Sequence, residues 1–305
     1  MNPHSLISLA RQEFHRGLLK DGILTIDKDG IPNIADKGSK QSIGIAQQMV
    51  KAVGSASTSV KAAGQTSGKE FESAVADFLR NTFLKLGHLR PGSWEVSDQT
   101  TGGSVEISNF EQYEHLRKLR EVIEADPHLA AALGSDYLIT PDVVVLRSPE
   151  PDERINAVST IVDDESARHT SLRAKNHGVK TRFVKGKPVP HETVILHASV
   201  SCKWTLRSDR AQNARSEALN LIRNRKGRVP HIVAVTAEPL PSRIASLALG
   251  TSDLDCVYHI ALAELLEAVK DQTGGVESDQ FVDLNTLVNG KRLRDISDLP
   301  LDLVI

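Results

Sequence analysis

Cysteine is scarce in this chain of 305 residues. Cys202 and Cys256 are its only two, too few for a disulfide framework or a four-cysteine zinc site. Aromatic residues make up 4%, which argues against a stacking platform for single-stranded nucleic acid. No apolar run reaches the roughly 18 residues that a membrane-spanning helix needs. The start, MNPHSLISLARQEFHRG, lacks a basic stretch followed by an apolar one, so no secretion signal is read and a cytoplasmic location is expected. An excess of either charge is missing as well. The 37 basic and 39 acidic side chains leave a net charge of −2, and that average speaks against a strongly basic nucleic-acid domain. No repeat with a period of about 20–50 residues is visible, which excludes solenoids and propellers. HExxH, GxSxG and a correctly spaced phosphate loop are absent too; Gly64-Gln-Thr-Ser-Gly-Lys69 only imitates the last.

What is present reads as an α/β chain. Residues 4–20 are predicted to form an amphipathic helix with Leu6, Ile7, Leu9, Phe14 and Leu18 toward a core. Residues 27–41 are polar and turn-rich, and 54–68 read as a small-residue loop. Ser67 and Glu70 have capping-box spacing, which predicts a helix from there carrying Phe71, Val75, Phe78, Leu79 and Leu86 on one face. A second helix fits 110–133, interrupted near Pro127. The unbroken run Val143 to Leu146 predicts a buried strand, and 193–203 and 231–236 predict two more. Between 209 and 226 a helix is expected, with Ser208 as its N-cap and Gly227 as its stop. Residues 148–191 read as an insertion. The order of elements predicts one domain over 1–305, with a central mixed sheet of the five-stranded type flanked by helices.

Two constellations carry chemistry. The first is Pro141-Asp142 on one strand with Ser201-Cys202-Lys203 on the next, which shares the form of the metal-dependent nuclease pattern PD…(D/E)xK. Phosphodiester hydrolysis needs a divalent cation on the non-bridging oxygens, and Asp142 is a carboxylate able to hold one. Strand alternation puts Ser201 and Lys203 on one face, while Cys202 points away and can offer its backbone carbonyl. A lysine there orients the attacking water and offsets charge developing on the phosphate. Position 201 is serine, whose hydroxyl is a poor magnesium ligand, so a carboxylate has to come from elsewhere. Glu217, on the helix that follows, is the first candidate, and Glu72 is the second. Taken singly, Asp142 reads equally as a turn cap, Lys203 as an edge lysine and Glu217 as a surface glutamate. Cys202 reads as a small buried hydrophobe.

The second constellation is Arg207-Ser208-Asp209-Arg210, at the predicted start of the 209–226 helix. Arginine pairs with guanine O6 and N7, and aspartate accepts from cytosine N4, so the cluster suits a short G/C-rich palindrome. Residues 203–228 hold eight basic and two acidic side chains, which makes this window +6 and the other 279 residues −8. Arginines near the end of the helix complement its dipole, but Arg207 and Arg210 sit at the unfavourable end and call for another task. On these residues alone three readings stay open. They are a site-specific nuclease, a sequence-specific DNA-binding protein without catalysis, and a structure-specific repair nuclease.

Longer stretches add a resemblance. SCKWTLRSDRAQNARSEALNLIRNRKGR (201–228), IVAVTAEPLPSRI (232–244), LGTSDLDCVYH (249–259) and VNGKRLRDISDLPLDL (288–303) resemble the NgoMIV family of type II restriction endonucleases. So do GQTSG (64–68), HLRPGSW (88–94) and AAALGSDYLITPD (130–142). The resemblance implies a restriction-endonuclease-like fold and double-stranded DNA as partner. Asp142, Ser201, Lys203, the displaced Glu217 and the additional Glu72 would form the active site, with two magnesium ions. Arg207, Asp209 and Arg210 would read a CCGG core in the major groove, and Gln65 would approach from the minor groove. Asp36 and Ser39, in Ala35-Asp36-Lys37-Gly38-Ser39, would read the outer pair of a GCCGGC site. A homotetramer of two back-to-back dimers is implied as well.

Overall fold

The computed structural model describes residues 4–54, 64–98, 106–125, 128, 140–169, 179–184, 187–192, 194–206, 208–249 and 253–305; at 64–67, 118–121, 124–125, 179–184, 187–192 and 208–210 it describes the backbone alone. Six strands form one sheet: β1 (Trp94–Asp98), β2 (Val143–Arg147), β5 (Ile195–Lys203), β6 (His231–Thr236), β7 (Cys256–His259) and β8 (Leu293–Asp295), in that spatial order. Strands β1, β2 and β5 pair antiparallel, and β5 to β8 pair parallel. Strands β3 (Val179–Val184) and β4 (Lys187–Glu192) make a separate hairpin within the expected insertion. The sheet is mixed, as the sequence predicts, but has six strands. The three-residue β8 is too short to show as an alternating or apolar run.

Eight helices of two turns or more are described. They are α1 (Leu6–Lys20), α2 (Lys40–Val53), α3 (Gly64–Thr82), α4 (Glu114–Ala125), α5 (Ser208–Asn224), α6 (Pro241–Ala248), α7 (Leu262–Gln272) and α8 (Asp279–Asn289). Helix α3 packs on β1, β2 and β5, and α1 packs on α3. Most of the buried apolar residues form one continuous core from Phe14 to Leu303.

Several local expectations are corrected. Leu6 and Leu9 are exposed, and α1 turns Phe14 and Leu18 inward. Helix α3 begins at Gly64, so Ser67 lies in its first turn and not at its cap; no proline blocks the backward extension. The polar stretch after Asp36 ends in α2, whose N-cap is Ser39. Pro141-Asp142 precedes β2 and is not part of it. Helix α5 ends at Asn224, and Gly227 takes a positive φ of 85° in the loop beyond.

The first half of β5 lacks the neighbour that β6 provides later, because β6 begins opposite Ala198. The chain at 110–112 fills that place. Phe110 bridges to Val194, Glu111 donates its amide to Val194 O at 2.9 Å, and the Gln112 side chain takes over from there. Its Nε2 donates to Leu196 O at 2.7 Å and its Oε1 accepts from Leu196 N at 3.0 Å. Both backbone groups are buried, so their satisfaction depends on one side chain. Gln112→Ala is expected to cost about 2–3 kcal/mol through two orphaned groups. Urea unfolding measures this, and a loss below about 0.5 kcal/mol would show that water replaces the amide.

Candidate active site

The site forms where the sheet changes from antiparallel to parallel pairing. Pro141 has a fixed φ and holds the preceding residue extended, so the chain enters β2 straight. The antiparallel register sets Val143 against Val200, and one step outward brings Asp142 to the end of β5. Asp142 Oδ2 accepts from the Cys202 amide at 2.7 Å and from Lys203 Nζ at 3.2 Å. From helix α5, Glu217 Oε2 accepts from Ser201 Oγ at 3.3 Å and lies 3.8 Å from Lys203 Nζ. The structure therefore brings together Asp142, Ser201, Lys203 and Glu217 as the spacing predicts. Cys202 takes part through its backbone amide, which anchors Asp142. Its side chain is buried, and burial pushes the thiol well above its usual range. That matches its reading as an apolar filler.

Glu72 joins from α3. Phe71 is packed edge-on against Trp204, with ring centroids 4.9 Å apart, which ties this turn of α3 to the residue after Lys203. One carboxylate oxygen of Glu72 is buried and has no hydrogen-bond partner. Burial, and next the charge of Asp142, push its pKa up to about 7, against the pull of Lys203 and Lys69. Glu217 is also raised, mainly by crowding that removes water, although part of its surface stays exposed. Burial works against the Lys203 ammonium, but Asp142 and Glu217 outweigh it and hold its pKa above the usual value. Lys203 is therefore a fixed cation and not a proton acceptor at neutral pH. Three carboxylates face one ammonium, and the excess negative charge is what a divalent cation would relieve.

The donor set is all oxygen, which suits magnesium. Among the described residues no three metal-ligating side chains close into a cage. Magnesium does not need one, because it keeps several waters and uses one or two carboxylates. The residues present fit the ion.

The sequence reading missed Asp98, Ser73 and Arg80. Asp98 is fully buried at the end of β1, accepts from Ser73 Oγ at 2.9 Å, and meets Arg80 at 3.1 Å. It braces α3 against β1 and adds to the negative field at Glu72. Only the strand pairing places it there, so no local motif announces it.

Of the predicted DNA readers, Arg207 lies outside the described residues. Gln65, Asp209 and Arg210 sit in the first turns of α3 and α5, and their side chains also lie outside. Asp36 is described, and it is ion-paired with Arg243 of α6. Arg243 was not anticipated, since nothing in the sequence links it to residue 36. Ser39 Oγ accepts from the Ser42 amide at 3.2 Å, and Lys37 turns back to Asp27. Two arginines of the +6 window are engaged elsewhere: Arg215 donates to Ser246 O and Arg225 to Ile222 O.

The family model for the NgoMIV restriction enzyme matches residues 14–305. The type II restriction enzyme NgoMIV of Neisseria gonorrhoeae is 47% identical over 305 residues, covering all of both chains.

The raised pKa of Glu72 has a checkable consequence. Well below pH 4.5 its carboxyl carries a proton in both the folded and unfolded chain, so it costs little. Between about pH 4.5 and about 7 the unfolded chain is ionised while the folded one keeps its proton, so the metal-free native state loses stability across that window. Glu72→Gln should therefore raise the melting temperature of metal-free protein at pH 8 and far less at pH 4.5. Equal shifts at both values would show that Glu72 is not electrostatically strained.

Proposed function

The chain belongs to the NgoMIV restriction enzyme family, and on that premise we propose that it is a type II deoxyribonuclease cutting duplex DNA at a CCGG-centred palindrome. GCCGGC is the expected full site. The observation that carries this reading is Lys203 Nζ set between Asp142 and Glu217, at 3.2 and 3.8 Å, with the unpartnered Glu72 oxygen alongside. An unrelated lysine at a strand edge has no reason to gather three acids.

Asp142, Glu217, Glu72 and the Cys202 carbonyl would hold magnesium, with two ions expected. Bound there, magnesium would supply Lewis acidity to a non-bridging phosphate oxygen and acidify a water. Lys203 positions the attacking water and offsets charge on the phosphate, and its raised pKa keeps it charged throughout. Ser201 replaces the usual carboxylate at its position and steadies Glu217 by hydrogen bonding. In-line attack by water on phosphorus leaves a 5′-phosphate and a 3′-hydroxyl. Asp142 is anchored by a backbone amide, so its position does not depend on the metal being present.

Arg207, Asp209 and Arg210 read the inner CCGG pairs, and Gln65 approaches from the minor groove. Arg243 joins Asp36 and Ser39 at the outer pair, because an arginine–aspartate pair has the donors and acceptors for G·C. Two-fold symmetry of a palindrome calls for at least a dimer. A tetramer of two back-to-back dimers is the assembly we expect. We read residues 1–305 as one domain with 148–191 as an insertion, in keeping with the continuous core.

Plasmid DNA incubated with the protein, with magnesium or with EDTA, tests this directly. Discrete fragments whose sequenced ends share one CCGG-centred palindrome, with magnesium only, are expected. No cleavage with any metal would favour a binding protein, and sequence-independent nicking would favour a repair nuclease. Lys203→Ala is expected to abolish cleavage while the specific duplex is still retained in a gel-shift assay. Retained cutting would remove Lys203 from the reaction.

A further inference from the structure

Glu238 lies two residues beyond the end of β6 and is 0% exposed. A carboxylate so placed is costly unless it does something apolar side chains cannot. Its Oε2 accepts from the Leu206 amide at 2.7 Å. Leu206 belongs to the short link between Lys203, the last residue of β5, and Ser208, the first of α5. The other oxygen, Oε1, accepts from the Leu240 amide at 3.2 Å, at the entry to α6, and lies 3.8 Å from Arg243 Nη1. Arg243 in turn pairs with Asp36. Glu238 is itself fixed to the sheet: Thr236 Oγ1 accepts its amide at 3.2 Å, and Thr236 stands opposite Lys203 in the parallel register. The next link, Ala237 N to Trp204 O at 3.2 Å, continues that register past the strand ends.

One buried carboxylate therefore holds three things in place. These are the exit of the strand that carries Lys203, the entry to the helix that carries Asp209 and Arg210, and the guanidinium paired with Asp36. We propose that Glu238 is a positioning residue that couples base reading at both the inner and outer pairs to the placement of Lys203. This rests on the reading under Proposed function. It has a physical mechanism: a shift of α5 or Arg243 on a wrong sequence pulls on the same carboxylate, and through Leu206 on the segment next to the catalytic lysine.

Glu238→Gln keeps the shape and loses the charge. Its single-turnover cleavage rate and KM should be compared with wild type on three duplexes: the preferred site, one inner pair altered, and one outer pair altered. The expected result is a fall in kcat on the preferred site, with KM little changed. The preference over both altered duplexes should also narrow by about tenfold or more, the scale of one lost base contact. A purely structural role would lower the active fraction and scale all three duplexes alike, and unchanged preference ratios would overturn the proposal. Should Glu238→Gln not fold, Glu238→Asp, which keeps the charge but withdraws it by one methylene, is read in the same way. Failure of both to fold would assign Glu238 to support of the fold alone and overturn the proposal equally. If wild type cuts at some other sequence, the reading of the site fails. The coupling is then still tested, because the ratios are measured against whatever site the enzyme prefers.

Discussion

The Lys203 ammonium is the interaction on which the rest of the site depends. It is ion-paired with Asp142 and Glu217 and acts on Glu72 as well, and its charge covers only part of theirs. Like charges in a water-poor pocket raise one another's pKa, as seen at Glu72 and Glu217. The site is thus left short of positive charge, which is the condition a hard cation would relieve. Strand β5 makes this geometry possible. It is the last antiparallel and first parallel strand of the sheet, so one edge meets Asp142 while the chain beyond its end feeds the helix that returns Glu217.

Much of this was legible in the sequence because it is local. The apolar run Val143 to Leu146 identifies β2, and alternation along 201–203 separates Ser201 and Lys203 from Cys202. The absence of a carboxylate at 201 forces the search for Glu217. What was not legible depends on register and loop geometry. Asp98 becomes relevant only because β1 pairs with β2 and Ser73 reaches it from α3. Arg243 is far from residue 36 in sequence and meets it through the fold alone, and Glu238 lies against Arg243 in turn. Helix α2 was hidden by its polar surroundings, and β8 by its brevity. Leu6 and Leu9 fit an apolar stripe but face outward, since tertiary packing and not periodicity decides which face is covered.

Charge illustrates the difference between a sum and an arrangement. The total of −2 hides a +6 segment and an acidic remainder of −8. Even the +6 overstates what faces a ligand, because Arg215 and Arg225 are occupied by backbone carbonyls. The acidic remainder likewise divides into structural pairs, such as Asp295 and Glu264 on Arg11, and the few carboxylates left around Lys203. Scarcity of aromatics keeps its meaning: duplex reading by arginine and aspartate needs no stacking platform.

The acids around Lys203 are proposed to form a metal-dependent cleavage centre for duplex DNA. The most direct test is a crystal structure of the protein with a GCCGGC duplex and manganese, which scatters anomalously, in place of magnesium. The expected result is an anomalous peak coordinated by Asp142 within reach of Glu217, with Lys203 Nζ beside the scissile phosphate. A bound duplex whose phosphates lie away from Lys203, or a metal held only by other residues, would contradict it.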